Sequence, residues 1–370
     1  MNYFVFVPVA LLTIALFFGV HYGIYAFFVN FFQIFTSHKL ISALIFIVLA
    51  VSFFISSAIA HWIDNAFFRA FYFVSGVWMG TMINILLAML ATGIVLQILK
   101  WSSVSVSGSL IAGFFLVVAL FVSVYGVWNA THPRIQNISV TIPNLPEEWK
   151  GKKLVQISDV HLGHIYRASF LQRVVDMINA ENSKLVVITG DLFDGMDGGL
   201  SELVSPISGL RASSGTLFID GNHETYLGTQ KTFDALQQTN VRILNNEVTD
   251  VDGLSFVGIS YPERGEHETI IHAIQALQTQ FEGKPSVLLY HAPEMIEEVA
   301  QTGINLQLSG HTHQGQQFPF QYITHLVHKG YDYGLYTLGS YSLYTSSGVG
   351  TWGPTMRIGT QSEIVVITLQ

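Results

Sequence analysis

Two histidines with one residue between them, in Ser309-Gly310-His311-Thr312-His313-Gln314, leave the apolar run Asn305 to Leu308 at a glycine. Paired imidazoles in such a place suggest a metal ion. Three earlier apolar runs also end in ligand-type residues, at Asp159-Val160-His161, Gly190-Asp191 and Gly221-Asn222-His223-Glu224, and a fourth ends at His291. A single histidine at a strand end is ordinarily a packed or surface residue. Five ordered blocks of carboxylate, imidazole and amide are a ligand set.

Asp159, His161, Asp191, Asn222, His291, His311 and His313 offer nitrogen and oxygen donors, and the chain has no cysteine, so thiolate ligands, disulfides and cysteine nucleophiles are excluded together. A mixed nitrogen and oxygen set suits Mn, Fe, Zn, Ni or Co better than Ca or a thiolate-bound metal. Seven protein ligands exceed what one ion takes. They suit two ions about 3.5 to 4 Å apart, with one carboxylate bridging.

The elements that must position these residues come from the alternation after Lys153. Leu154 to Ile157, Leu185 to Ile188, Thr216 to Ile219, Val287 to Tyr290 and Asn305 to Leu308 read as buried strands. Ala168 to Ala180, Leu200 to Leu210, Thr229 to Gln238, Glu268 to Phe281 and Pro293 to Thr302 read as helices. Further strands are expected at Val241 to Leu244, Leu254 to Ile259, Leu335 to Leu338 and Ile364 to Leu369. This is an α/β pattern, expected to form two packed sheets with flanking helices. Ligands of open α/β sheets gather at the carboxyl ends of strands, where every one of the seven residues falls.

The first 130 residues are of another kind. The mean hydropathy of the 370-residue chain is +0.44, and four stretches are long and apolar enough for a bilayer core of about 20 residues per helix: Tyr3 to Phe32, Leu40 to Ala60, Ala66 to Leu99 and Ser109 to Trp128. The first lacks a basic start and is followed by more spans, so a signal peptide is a poor reading. Fourteen of the 17 basic and 24 of the 25 acidic residues follow Ala130, leaving that part about −10 and the first part about +2. An acidic domain is a poor partner for nucleic acid, whose binding rests on Lys and Arg. The expected organisation is a transmembrane region over 1–130, a linker and entry strand over 131–152, and a soluble domain over 153–370. An even number of spans puts the amino terminus and the acidic domain on one side of the membrane. Lys39 and Lys100 balance Arg69 and Arg134, so the basic residues do not choose that side. His21, Asn30, Asn84 and Gln97 within the spans are expected to serve helix packing rather than a transport path.

The order Asp159-x-His161, Gly190-Asp191, Gly221-Asn222-His223-Glu224, His291 and Gly310-His311-x-His313 resembles the calcineurin-like metallophosphoesterase superfamily. The resemblance covers about residues 150 to 370. Ser158-Asp159-Val160-His161-Leu162-Gly163, His291-Ala292-Pro293-Glu294 and Ser309 to Gln316, with Ser347-Gly348-Val349-Gly350, Pro354, Arg357 and Glu363, most resemble membrane-associated bacterial members. It implies the superfamily's two-sheet α/β sandwich and a role for each residue. Asp159, His161 and His313 would hold one metal, Asn222, His291 and His311 the second, and Asp191 would bridge. A hydroxide between the ions would attack phosphorus, and His223 would hydrogen-bond the phosphate or protonate the leaving oxygen.

The resemblance further implies a membrane-anchored phosphoesterase requiring two divalent or trivalent ions, Mn, Fe or Zn foremost. Its substrate would be a phosphodiester, a phosphomonoester or a pyrophosphate-linked lipid head group. Related members carry export signals, which places the domain on the outer face of the cytoplasmic membrane. The contrasting reading is a catalytically silent membrane scaffold or sensor on the same fold. Phosphoprotein phosphatases of the superfamily carry Arg-Gly after the second block, whereas this chain reads Asp191-Leu192-Phe193-Asp194-Gly195-Met196, which argues against a phosphoprotein substrate. Arg357 is expected either to replace that arginine or to form a surface salt bridge. Asp194 and Glu224 are expected to orient ligands or cap helices, and His164 to touch substrate or to have no role. His267, His272, His325 and His328 are assigned to surface or packing. Tyr331, Tyr333, Tyr336, Tyr341 and Tyr344 are expected either to form a stacking or membrane-facing surface or simply to belong to strands.

Overall fold

The structure is a computed structural model that describes residues 3–60, 62–196, 199–263 and 269–370, with side chains from residue 11 onward. His267 and the first residue of the helix expected from Glu268 lie outside the described residues. The chain divides into two compact units, Met1–Gly126 and Val127–Gln370.

The first unit is helical. Tyr3–Phe31, Lys39–Ala60 and Ala66–Trp101, with the helix Gly108–Ala130 that continues into the second unit, are each long and apolar enough to cross a membrane. Asn65 caps the third, its side chain accepting from Phe68 N at 3.0 Å. The polar residues inside the spans divide by position. His21 accepts from Trp78 Nε1 at 3.2 Å and Asn84 donates to Ser123 Oγ at 2.8 Å, both between helices, as expected of packing residues. Asn30 and Gln97, near the carboxyl ends of their helices, are exposed instead.

The second unit is built on twelve strands: β1 Arg134–Val140, β2 Lys153–Ile157, β3 Leu185–Thr189, β4 Thr216–Ile219, β5 Val241–Ile243, β6 Glu247–Val251, β7 Leu254–Gly258, β8 Ser286–Leu289, β9 Leu306–Ser309, β10 Gly334–Leu338, β11 Tyr341–Thr345 and β12 Glu363–Leu369. They form two six-stranded sheets, β1-β12-β2-β3-β4-β5 and β10-β11-β9-β8-β7-β6. In each, four neighbouring strands run parallel: β2, β3, β4 and β5 in one, β7, β8, β9 and β11 in the other.

Both faces of these strands are buried, which is why they read as unbroken apolar runs. Leu185 and Val187 of β3 pack with Leu254, Phe256, Val287 and Leu306 between the sheets. Val186 and Ile188 of the same strand point the other way, into a core shared with Phe170, Leu171 and Val174 of the helix Ala168–Ala180. On the far side of the second sheet, Val257 and Leu288 meet Ile270, Ile274 and Phe281 of the helix Ile270–Phe281. The result is a helix-sheet-sheet-helix sandwich, the fold class expected from the alternation.

Several elements depart from the sequence reading. The helix expected over Leu200 to Leu210 breaks into Leu200–Val204 and a 3-10 turn, Ser205–Gly209, where Pro206 supplies no N–H to continue the ladder. The expected Pro293 to Thr302 helix shrinks to Ile296–Val299. Strands β6 and β11 and the helices Asn222–Leu227 and Phe320–Val327 were not anticipated.

Candidate metal centre

The carboxyl ends of β2, β3, β4, β8 and β9 meet at one edge of the sandwich, and each carries one of the sequence blocks. Asp159 and His161 follow β2, Asp191 follows β3, Asn222 and His223 follow β4, His291 follows β8, and His311 and His313 follow β9. Ligand-type atoms gather there in three groups within which all lie inside 4.8 Å of one another: Asp159, His161 and His313; Asp191, His291 and His311; and, sharing His161 with the first, His161, Asp194 and His223. Asn222 joins the second, its Oδ1 lying 2.8 Å from His311 Nδ1. Asp191 Oδ2 faces the first two, at 3.2 Å from His291 Nε2 and 3.9 Å from His161 Nε2.

The backbone bends sharply to achieve this convergence. Asp159, His161, Asp191, His311 and His313 all have φ between 49° and 71°, in the left-handed region that disfavours residues with a Cβ. Each such residue costs about 1 kcal/mol or more, and five at one edge mark a site the surrounding fold holds in place. Two glycines let the loops close. A Cβ on Gly310 would lie 2.0 Å from Ser158 Oγ and 2.2 Å from Asp159 Oδ2, and one on Gly221 would lie 2.3 Å from Asp191 Oδ1.

A test of whether these residues suit cations comes from His291, which is fully buried. Its Nδ1 donates to Thr189 O at 2.8 Å, so the neutral ring presents a lone pair at Nε2. That Nε2 makes no hydrogen bond, yet it faces the Asp191 carboxylate at 3.2 Å. Two electron-rich atoms in that position need a positive charge between them. Burial alone would lower the His291 pKa, but the Asp191 charge and contact outweigh it and raise it to about 10. Burial would in turn raise Asp191, and the His291 charge outweighs it and drives Asp191 down. A metal ion supplies the same charge. On the open side, burial lowers His311 to about 3 and His313 well below its ordinary value, so both rings are neutral and have lone pairs to give.

Two further carboxylates, Glu224 and Asp194, bond to the residues gathered at this edge. Glu224 is completely buried and accepts from Asp191 N at 2.8 Å, Gly221 N at 2.7 Å and Phe193 N at 3.0 Å, which ties the β3 and β4 loops together. Asp194 Oδ1 lies 3.5 Å from His161 Nδ1, and its carbonyl takes a hydrogen bond from His223 Nδ1 at 3.1 Å. That bond leaves Nε2 as the His223 nitrogen able to exchange a proton.

Both expectations for Arg357 are corrected. It is wholly buried, so it forms no surface salt bridge. Its guanidinium donates to the carbonyls of His313 at 3.2 Å, Gly350 at 2.7 Å and Ser347 at 2.5 Å, and so is not free to clamp a phosphate. Its work is to hold the His313 loop. His164 is buried, His272 and His325 are exposed, and the His328 ring lies 6.2 Å from that of His311. Of the five tyrosines, Tyr336, Tyr341 and Tyr344 lie in strands, while Tyr331 and Tyr333 fall in the loop before β10; Tyr341 and Tyr344 are buried, and Tyr333 and Tyr344 both donate to Glu363 at 3.1 Å.

Two aromatic residues at this edge escaped the sequence reading. Tyr261 follows β7 and lies 6.0 Å from the His291 ring and 6.1 Å from the His311 ring. The strand-end rule that found the other residues also points to it. Trp352, whose ring is 5.9 Å from that of His223, sits in an irregular loop that no periodicity marks.

Residues 152–315 match the family model described as calcineurin-like phosphoesterase. An uncharacterised metallophosphoesterase of Campylobacter jejuni is 35% identical over 262 residues, covering 69% of this chain and 68% of that protein. This chain belongs to the calcineurin-like phosphoesterase family. It is accordingly a metal-dependent phosphoesterase. A Danio rerio protein described as a transmembrane protein with metallophosphoesterase domain is 31% identical over 275 residues, 69% of this chain and 62% of that one. A solved structure described as a dimetal phosphatase from Danio rerio aligns with a TM-score of 0.39 and 14% identity, covering 59% of this phosphoesterase and 99% of that chain.

Proposed function

We propose that this phosphoesterase is a multi-pass protein of the cytoplasmic membrane whose two-ion centre hydrolyses a phosphodiester, a phosphomonoester or a pyrophosphate-linked lipid head group. Asp159, His161 and His313 would hold one ion, Asn222, His291 and His311 would hold the other, and Asp191 would serve both. The observation that carries this reading is the position of Asp191 Oδ2, 3.9 Å from an imidazole nitrogen of the first group and 3.2 Å from one of the second. When bound, two divalent or trivalent ions such as Mn, Fe or Zn supply Lewis acidity toward the phosphoryl oxygens and a nucleophile from water at neutral pH.

The chain's own residues do the rest. Glu224 holds the Asp191 and Gly221 backbones so that the carboxylate and the Asn222 amide converge. His223, oriented through Nδ1 by the Asp194 carbonyl, moves a proton at Nε2 to the leaving oxygen. Tyr261 and Trp352 flank the site histidines with apolar ring surface that limits water at the edge of the site. The domain lies on the outer face of the membrane in this proposal, supported by the resemblance to exported members. Four helices of spanning length support the anchoring.

The test is direct. Purified protein supplied with Mn should hydrolyse bis-(p-nitrophenyl) phosphate, and Asp191→Asn should abolish the reaction; equal rates in the two proteins would sink the proposal.

A further inference from the structure

The soluble unit carries an apolar surface that its own fold does not cover. The helix Phe320–Val327 contains no buried residue: Phe320, Tyr322, Ile323, Leu326 and Val327 are all exposed, Leu326 by 78% and Val327 by 68%. Phe318, Leu335, Leu338 and Trp352 are exposed as well. Among the described residues after Ala130, every exposed large apolar side chain except Tyr226 and Met295 is one of these nine. An eight-residue helix is marginal in water without a packed face, and a patch of this kind marks an interaction site.

Two further observations select the occupant. The first is charge. No Asp or Glu occurs between Glu298 and Asp332, in a region otherwise rich in acids, and the helix is followed by His328 and Lys329. Burial lowers the His328 pKa and keeps that ring neutral, so Lys329 is the cation at the rim; an apolar and aromatic face free of acids, with a lysine beside it, suits a lipid surface carrying anionic head groups.

The second is continuity with the chain's exit from the spanning helix Gly108–Ala130. Within the second unit, Asn129 Nδ2 at the end of that helix donates to Arg357 O at 3.1 Å and Thr360 O at 2.8 Å, while Tyr166 and Ser362 donate to Ala130 O. The segment so held is bonded in turn to the chain leading into Phe320–Val327. Thr360 donates to Gln316 O at 2.7 Å, Phe318 N donates to Ile358 O at 2.8 Å, and Gln316 Nε2 reaches Pro354 O at 2.7 Å. Trp128, half exposed and stacked on His132, lies at the same helix end.

We propose that the helix Phe320–Val327, with Trp352, is a second membrane contact of this protein, lying in the lipid interface beside the point where the last spanning helix emerges. Phe320 and Trp352 also line a cavity of about 300 Å³ with His311, His313, Gln316 and Pro354, so this contact puts the lip of the metal centre at the interface. The inference rests on the membrane anchoring proposed above.

The chain has no cysteine, so single labels can be placed at will. Full-length variants Leu326→Cys and Ile323→Cys, with Met295→Cys as an exposed site elsewhere and Leu120→Cys within the last span, would carry an environment-sensitive fluorophore. They would be reconstituted in phosphatidylcholine and phosphatidylglycerol vesicles whose acyl chains are brominated. The labels at Leu326 and Ile323 should shift to the blue and lose fluorescence to the brominated lipid, as the label at Leu120 does, while that at Met295 should not. Quenching at Leu120 with Leu326 as bright and water-exposed as Met295 would overturn the proposal alone. No quenching at Leu120 would overturn the anchoring and this contact together. A label at Leu326 shielded from aqueous iodide but untouched by brominated lipid would mean that protein, such as a second copy, covers the face, and would also overturn it.

Discussion

At the scale of single residues, the site depends on side chains that are present and on side chains that are missing. Gly310 is an example of the second kind, since a methyl group there would collide with Ser158 Oγ and Asp159 Oδ2. Gly310→Ala should therefore displace Asp159, lower stability by about 1–3 kcal/mol and reduce retained metal after dialysis; a urea midpoint and metal content equal to the parent would contradict this. His223 belongs to the first kind. If it protonates the leaving oxygen, His223→Ala should lose far more activity on an alkyl phosphodiester, whose alkoxide needs the proton, than on a p-nitrophenyl ester, whose phenolate does not. Equal losses on the two would assign His223 to binding instead. The ligand-type residues were legible because imidazoles and carboxylates ending apolar runs are conspicuous. Arg357 was not, because its burial and its carbonyl partners at Ser347 and Gly350 depend on how the carboxy-terminal loop folds back.

At the scale of elements, parallel strands explain why distant blocks meet. β2, β3 and β4 are hydrogen-bonded neighbours that run in one direction, as are β8 and β9, so their carboxyl ends share an edge although the blocks lie far apart in the chain. The pieces that lock those ends together are less visible in sequence. Glu224, inside the short helix Asn222–Leu227, accepts three backbone N–H groups from two loops. Glu224→Gln would turn an amide donor toward N–H groups that need an acceptor. It should weaken metal affinity by about 10- to 100-fold, read by competition with a chelator, and an unchanged affinity would contradict the role given to Glu224. The strands that sequence reading found are those buried on both faces, such as β3 and β8. Strands β6 and β11 escaped it: Glu247–Val251 is a half-exposed edge strand, and Tyr341–Thr345 is polar in composition though buried. The Leu200 to Leu210 helix was overextended because its apolar spacing continues past Pro206.

At the scale of the whole molecule, the uneven distribution of charge and hydropathy separates an apolar helical region from an acidic α/β region, and that division was plain in the sequence. The side of the membrane was not, because the flanking basic residues balance. On the proposed outer-face orientation, protease added to intact spheroplasts should degrade the phosphoesterase domain, and protection until the membrane is broken would reverse the assignment. The central claim is that the seven residues hold two ions with Asp191 serving both. Anomalous diffraction from crystals grown with Mn measures this most directly. Two peaks roughly 3.5 to 4 Å apart, one beside Asp159, His161 and His313 and the other beside Asn222, His291 and His311, are predicted; a single peak, or none at this edge of the sandwich, would contradict the claim.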